Sequence, residues 1–173
     1  NNRTTLPGEA DPLQEIVSKI WNNPNDSKEV KQKKSGYYNG STRYIANVYI
    51  VRDPGNPENE GKVFLFKFGK KIYDKINEQM NPTFEGEEPV NPYDLWDGAN
   101  FRLRVKTVAD FPNYDSSSFD NPSPLADNDD EIEAIYKQCY SLEEQVSEAK
   151  FKSYDELKAR LDLVLGNSSK SNE

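Results

Sequence analysis

A chain of 173 residues has room for one domain with a sizeable core and is too short for two large ones. Only 34% of it is hydrophobic while 12% is aromatic, ten of those residues being Tyr, so a small core is supplemented by large amphipathic rings. No window approaches the ~20 consecutive apolar residues of a spanning helix and no apolar signal segment opens the chain, so the expectation is a soluble, cytoplasmic protein. The first residue is Asn, which predicts a fragment or processed product, and the single Cys139 forbids an internal disulfide.

Charge is segregated along the chain. The 22 basic and 30 acidic residues give −8 overall, which argues against a polyanionic partner. Yet residues 28–75 hold 11 Lys/Arg against 5 Asp/Glu, a local +6, whereas residues 109–173 hold 6 against 15, a local −9. Binding responds to the local field, so the mean charge misleads.

Taken in order, residues 1–42 are polar apart from one amphipathic run at 13–21, where Leu13, Ile16, Val17 and Ile20 follow helical spacing behind Asp11-Pro12. Residues 28–42 read as a basic connector with a turn at Asn39-Gly40. Residues 43–51 predict a strand with Tyr44, Ala46, Val48 and Ile50 on one face and Ile45, Asn47, Tyr49 and Val51 on the other. The loop at 52–61 leads to a second strand at 62–68, with Phe64, Phe66 and Phe68 sharing a face, and then to a helix at roughly 70–80 anchored by Ile72, Ile76 and Met80. Strand, loop, strand, helix is compatible with an OB barrel.

Further along, the alternation in 101–108 predicts a strand with Phe101, Leu103 and Val105 inward and Arg102, Arg104 and Lys106 outward. The polar stretch 109–128 precedes a helix carrying Ile132, Ile135, Tyr136, Cys139 and Val146 at mostly three- and four-residue spacing. A final helix begins at Ser153, where Glu156 completes a capping box, carries Leu157, Leu161 and Leu165, and stops at Gly166. Residues 167–173 read as frayed.

Catalytic motifs fail on their spacing. Between Gly55 and Lys62 the run resembles a phosphate-binding loop, but five residues separate the glycines and Val63 stands where Ser or Thr belongs. Asp127, Asp129 and Glu131 begin like a calcium loop, but Ile132 replaces the turn glycine and the closing Glu is missing. With no His in the chain, a Ser-His or Cys-His nucleophile is unavailable. Glu87-Glu88 is a solvated pair.

What remains is a binding surface. Between Arg43 and Asn77, cationic and aromatic residues interleave, and Arg43, Lys67, Lys70, Lys71, Arg102 and Arg104 are candidate phosphate contacts, since neutralising phosphates releases counterions without choosing a sequence. Aromatic rings beside such a groove stack on unpaired bases.

Several phrases in one order carry a resemblance. PENEGKVF (57–64), FGKK (68–71), DKIN (74–77), WDGANFRLRVKTV (96–108), FPNYDSSSF (111–119) and KFKSYDEL (150–157) resemble the single-stranded DNA-binding proteins of T-even-type phages. The likeness runs from about Tyr44 to about Leu165. It implies a mainly β, α+β fold: an N-terminal helical or irregular subdomain at 1–42, an OB-fold-like barrel at 43–127, two C-terminal helices at 128–166 packed on that core, and a tail at 167–173.

The same resemblance implies a non-enzymatic protein that coats single-stranded DNA during replication, recombination and repair in the cytoplasm of the infected host cell, with replisome and recombination proteins as further partners. It also points to Tyr44, Phe66, Phe111 and Tyr114 as aromatic positions of the DNA cleft. Tyr44 and Phe66 sit among apolar neighbours, so strand core competes with that role. Phe111 and Tyr114 lie in a turn-rich phrase with little reason to carry two large rings unless they cover something. Ile45 stands where the family has Trp.

Three departures qualify the likeness. The family's zinc is held by one His and three Cys, including a Cys-Pro-x-Cys, but the matching run here is Asp11-Pro12-Leu13-Gln14 and His is absent. No zinc and no other cofactor is expected, and packing around 13–21 takes the metal's place. The family's basic N-terminal arm and acidic C-terminal tail have no counterpart in these residues, so self-association along DNA does not follow from the likeness. Two other functions stay open: a phage structural or interaction module docking through acidic helices at 128–165, and an RNA-binding translational regulator.

Overall fold

The computed structural model describes residues 6, 8–38 and 40–166. The chain forms two compact units, one from Asn1–Gly40 with Glu143–Glu173 and one from Ser41–Leu142. Among the described residues 37% are helical and 17% are in strands. The fold is therefore α+β, and the expectation of a mainly β protein is corrected. No closed barrel forms among the described residues. None of the described helices is long and apolar enough to cross a membrane.

The first unit is helical. Helix α1 (Pro12–Trp21) starts as its sequence directs: Asp11 caps it by accepting from the Leu13 and Gln14 amides, and Pro12 occupies the first turn, where its missing N–H costs nothing. Helix α2 (Lys28–Gly36) replaces the expected basic connector. It has no apolar stripe to reveal it; Ser27 caps its start, Glu29 lies in the first turn and Lys33 and Lys34 in the last, each suited to the helix dipole. The turn expected at 39–40 rests on Asn39, which lies, like 167–173, outside the described residues.

In the same unit α1 packs against α2 and against a C-terminal helix, numbered α6 below (Tyr154–Val164), which has the predicted capping box of Ser153 and Glu156. Gly166 follows it with φ +71, a conformation open to glycine. The Tyr154 hydroxyl donates to Glu15 Oε2 at 3.1 Å, tying α6 to α1.

The second unit contains three antiparallel two-stranded ribbons. In the first, β1 (Tyr44–Tyr49) pairs with β2 (Val63–Phe68) in a register that sets Tyr44 opposite Phe68, Ala46 opposite Phe66 and Val48 opposite Phe64. That shared face grades from solvent to interior, with Phe64 exposed, Phe66 half-buried and Phe68 buried. Helix α3 (Lys70–Met80) follows at once and inserts Ile72, giving a core of Ala46, Phe68 and Ile72 flanked by Tyr44, Phe66, Ile76, Phe101 and Tyr114. Asn47, a polar residue within β1, exchanges two 3.0 Å hydrogen bonds with the backbone of Tyr140.

The expected continuous strand at 101–108 is broken. Strand β3 (Ala99–Arg102) pairs with β6 (Ser118–Pro122), while β4 (Lys106–Val108) pairs with β5 (Phe111–Asn113). Leu103 and Val105, expected inward, are exposed. The break has a chemical cause at Ser117: its hydroxyl accepts from the Arg104 amide at 2.9 Å and donates to the Arg104 carbonyl at 3.2 Å, taking the place of a strand partner. Only 3% of Ser117 is exposed, so Ser117→Ala leaves these groups without their partner. The expected cost is about 1–3 kcal/mol, read as a lower denaturant midpoint at unchanged m-value.

The β4–β5 hairpin turns on Ala109 and Asp110, both with positive φ (48° and 65°), as a two-residue hairpin turn of matching twist requires. It makes strands of a stretch expected to be irregular. The helix expected to reach Val146 is also interrupted: α4 (Asp129–Tyr136) buries Ile132 and Ile135, whereas Tyr136 and Val146 are exposed and α5 (Leu142–Gln145) is a single turn. Trp96 Nε1 donates to Asp129 at 2.8 Å, tying the start of α4 to the preceding loop. Gly98 in that loop is required, since a Cβ there would lie 2.1 Å from the Asp94 carbonyl oxygen.

Candidate nucleic-acid interface

A cleft of about 380 Å³ opens where β2 runs into α3, on the side that faces β5. Its floor is apolar: Phe66, Phe68 and Ile72 are core residues on one side and cleft lining on the other. The ring planes of Phe66 and Phe68 lie 24° apart with centroids 5.5 Å apart, and Tyr44 continues the series on Phe68 at 5.7 Å. Pro112 of β5 and Tyr114 just after it complete the lining.

Arg43, Lys67, Lys70 and Lys71 also line this cleft, and no carboxylate does. Local backbone explains their convergence. Lys67 alternates with Phe66 and Phe68 on β2, so its exposed side chain leaves the face opposite to theirs. Lys70 and Lys71 open α3, whose first turn has no acid, and its N-cap residue Gly69 offers no capping side chain. The absent side chain has a use: a Cβ on Gly69 would fall 2.8 Å from Arg43 Nη1, so glycine lets the guanidinium lie against the start of the helix.

Some of these charges are partnered. Lys70 Nζ lies 2.6 Å from Asp74 Oδ2, a hydrogen bond that holds the ammonium above its ordinary pKa. Lys71 Nζ donates to both Asp115 oxygens at 2.9 and 3.1 Å, and with Asn113 it holds the Asp115 carboxyl below the usual carboxylate range. Among the described residues Arg43, Lys67 and Arg104 have no carboxylate within 4 Å.

Of the predicted positions, Arg43, Phe66, Lys67, Lys70, Lys71 and Tyr114 line the cleft together. Tyr44 stands behind it, stacked between Phe68 and Tyr73, the latter at 4.1 Å and 7°. Arg102, Arg104 and Phe111 do not line it: Arg102 pairs with Asp120 beside β3, Arg104 lies at the strand break, and Phe111 is 74% exposed on β5. Sequence reasoning missed Gly69, Pro112 and Asp115. Gly69 had a signal in its place between a strand and a helix; the other two had none.

The zinc implied by the resemblance does not fit these residues. Asp11 is the N-cap of α1, the chain has no His, and Cys139 is exposed in the other unit with its thiol pushed up by partial burial. Among the described residues no group of three or more His, Cys, Asp or Glu side chains is placed to hold a metal.

A family profile described as "gp32 DNA binding protein like" matches residues 1–165. The chain is 42% identical over 161 residues to a single-stranded DNA-binding protein of Enterobacteria phage T2, covering 91% of this chain and 52% of that one. It is likewise 42% identical over 160 residues to the protein of the same description from Enterobacteria phage T4, with the same coverage. The chain thus spans about half the length of the curated relatives it matches. Matched along nearly all of its length, the chain belongs to the gp32 DNA-binding-protein-like family.

Proposed function

We propose that this chain binds single-stranded DNA without sequence preference and performs no chemistry on it, serving phage DNA replication and the recombination and repair that use the same strands. The observation that carries this reading is the cleft itself, which four cationic residues line together with near-parallel rings. Phosphates meet Arg43, Lys67, Lys70 and Lys71, while unstacked bases lie on Phe66 and Tyr114. Phe111, Arg102 and Arg104 extend the strand's path beyond the cleft. A duplex keeps its bases stacked on one another, so the cleft favours the open strand and melting follows by mass action.

The three ribbons are read here as parts of an OB-type barrel. Antiparallel pairing throughout, and a helix that follows the second strand directly, support that reading. Action in the host cytoplasm, and partners among replication proteins, belong to the same proposal and rest on the family.

Titrating the chain with oligo-dT while following intrinsic Tyr and Trp fluorescence tests it. Saturable quenching that duplex DNA does not reproduce is the expected result. Equal quenching by duplex, or none by either, would sink the reading. Tighter binding of an RNA oligomer of the same length would move it to RNA.

A further inference from the structure

The Lys71–Asp115 pair differs from the other ion pairs near the cleft. Lys70 and Asp74 lie one turn apart on α3, so their pair spans nothing. Lys71 lines one wall of the cleft from α3, while Asp115 follows directly on Tyr114, which lines another from the segment after β5, 44 residues away in sequence. Their contact joins the two walls. Both Asp115 oxygens accept hydrogen bonds from one ammonium, as two phosphate oxygens would. The carboxylate is also held from its other side: Asn113 Nδ2 donates to Asp115 Oδ2 at 2.7 Å, and the Asp115 amide donates to Asn113 Oδ1 at 2.9 Å. A third bond, from the Ser117 amide to the Tyr114 carbonyl at 2.9 Å, closes the turn that carries it.

We propose that Asp115 is a built-in phosphate surrogate: it latches the two walls of the free cleft through Lys71 and is displaced by a backbone phosphate when a strand enters. This rests on the reading that the cleft takes single-stranded DNA. Binding is then an exchange of one anion for another at Lys71. Asp115 limits affinity, since the strand replaces a contact rather than making a new one and brings phosphates close to a fixed negative charge. The same fixed charge makes it a selector, because an anion too weak to displace it gains no contact at Lys71.

The experiment uses the whole chain and a fluorescent dT oligomer at several salt concentrations. Asp115→Asn is expected to tighten binding about two- to five-fold at low salt, the scale of one exposed ion pair. The slope of log K against log salt is expected to steepen by about 0.7, the contribution of one added phosphate contact on a single strand. Asp74→Asn is expected to change the slope less, and in a Lys71→Ala background Asp115→Asn is expected to leave it unchanged. Asp115→Ser removes the same charge if Asn disturbs the Asn113 contact, and thermal melting confirms that each variant is folded. Weaker binding by folded Asp115→Asn and Asp115→Ser would show that Asp115 orients Lys71 instead, overturning the proposal, as would affinity and slope both left unchanged. No binding by the unsubstituted chain would overturn the cleft reading itself.

Discussion

Replacing the two rings of the 111–114 segment is expected to give two different phenotypes. Phe111 is 74% exposed on β5, opposite Val108, and no core residue needs it. Phe111→Ala should therefore weaken binding to a dT oligomer by about 1–3 kcal/mol if the ring stacks on a base, with little change in melting temperature. Tyr114 is half-buried against Ala46, Phe68 and Ile72 while its other side lines the cleft. Tyr114→Ala should weaken binding by a similar amount and also lower stability, by up to the about 3–5 kcal/mol typical of a lost core ring. Equilibrium unfolding and binding titrations on the same samples separate the two effects. Normal binding by folded Phe111→Ala would place the strand's path elsewhere, and unaltered stability in Tyr114→Ala would mean that its packing against the core is dispensable.

Removing Arg43, Lys67 and Arg104 together, the candidate cations without a carboxylate partner among the described residues, is expected to cost more affinity than any single ring. Each contributes about 0.7 to the slope of log K against log salt on a single strand, so the triple Ala variant should lose about 2 from that slope. At 50 mM salt this amounts to roughly a hundredfold to a thousandfold weaker binding, while at 1 M the two proteins converge. The unsubstituted chain should itself show a slope near −2 to −3.5, from about three to five phosphate contacts. A flat salt response in the unsubstituted chain would remove the electrostatic part of the mechanism and leave only stacking.

The segments legible in the sequence were those whose signals are local. Helix α3 declares itself through Ile72, Ile76 and Met80, α1 through Asp11-Pro12, and α6 through the Ser153–Glu156 box; each is specified within a few neighbouring residues. The segments that escaped depend on distant partners or give no periodic signal. Helix α2 has Val30 as its one large apolar side chain and so shows no apolar stripe; its local signals are its cap and end charges. The strand break at 103–105 is made by a hydroxyl 13 residues further on. The β4–β5 hairpin turns on Ala-Asp, with none of the Gly that usually marks such a turn.

The interface divides in the same way. Arg43, Lys67, Lys70 and Lys71 were visible because they interleave with aromatic residues in one basic stretch, just before β1, in β2 and in the first turn of α3. Phe66 and Tyr114 came from the family likeness, and both line the cleft. Asp115 was invisible because its importance lies in a contact across 44 residues, and no spacing rule reaches that far.

The apolar floor of the cleft is also the wall of a very small interior, and this constrains how such a protein can change. Phe68 and Ile72 serve two masters, so a substitution that reshapes the floor alters the folded state before it alters affinity. The cations around the rim carry no such burden, being exposed and held by flexible stems. Divergence among such proteins should then be conservative at the floor and permissive at the edge. Tuning grip by exchanging surface charges leaves the fold intact, whereas tuning it by exchanging rings means refolding the unit around the new shape.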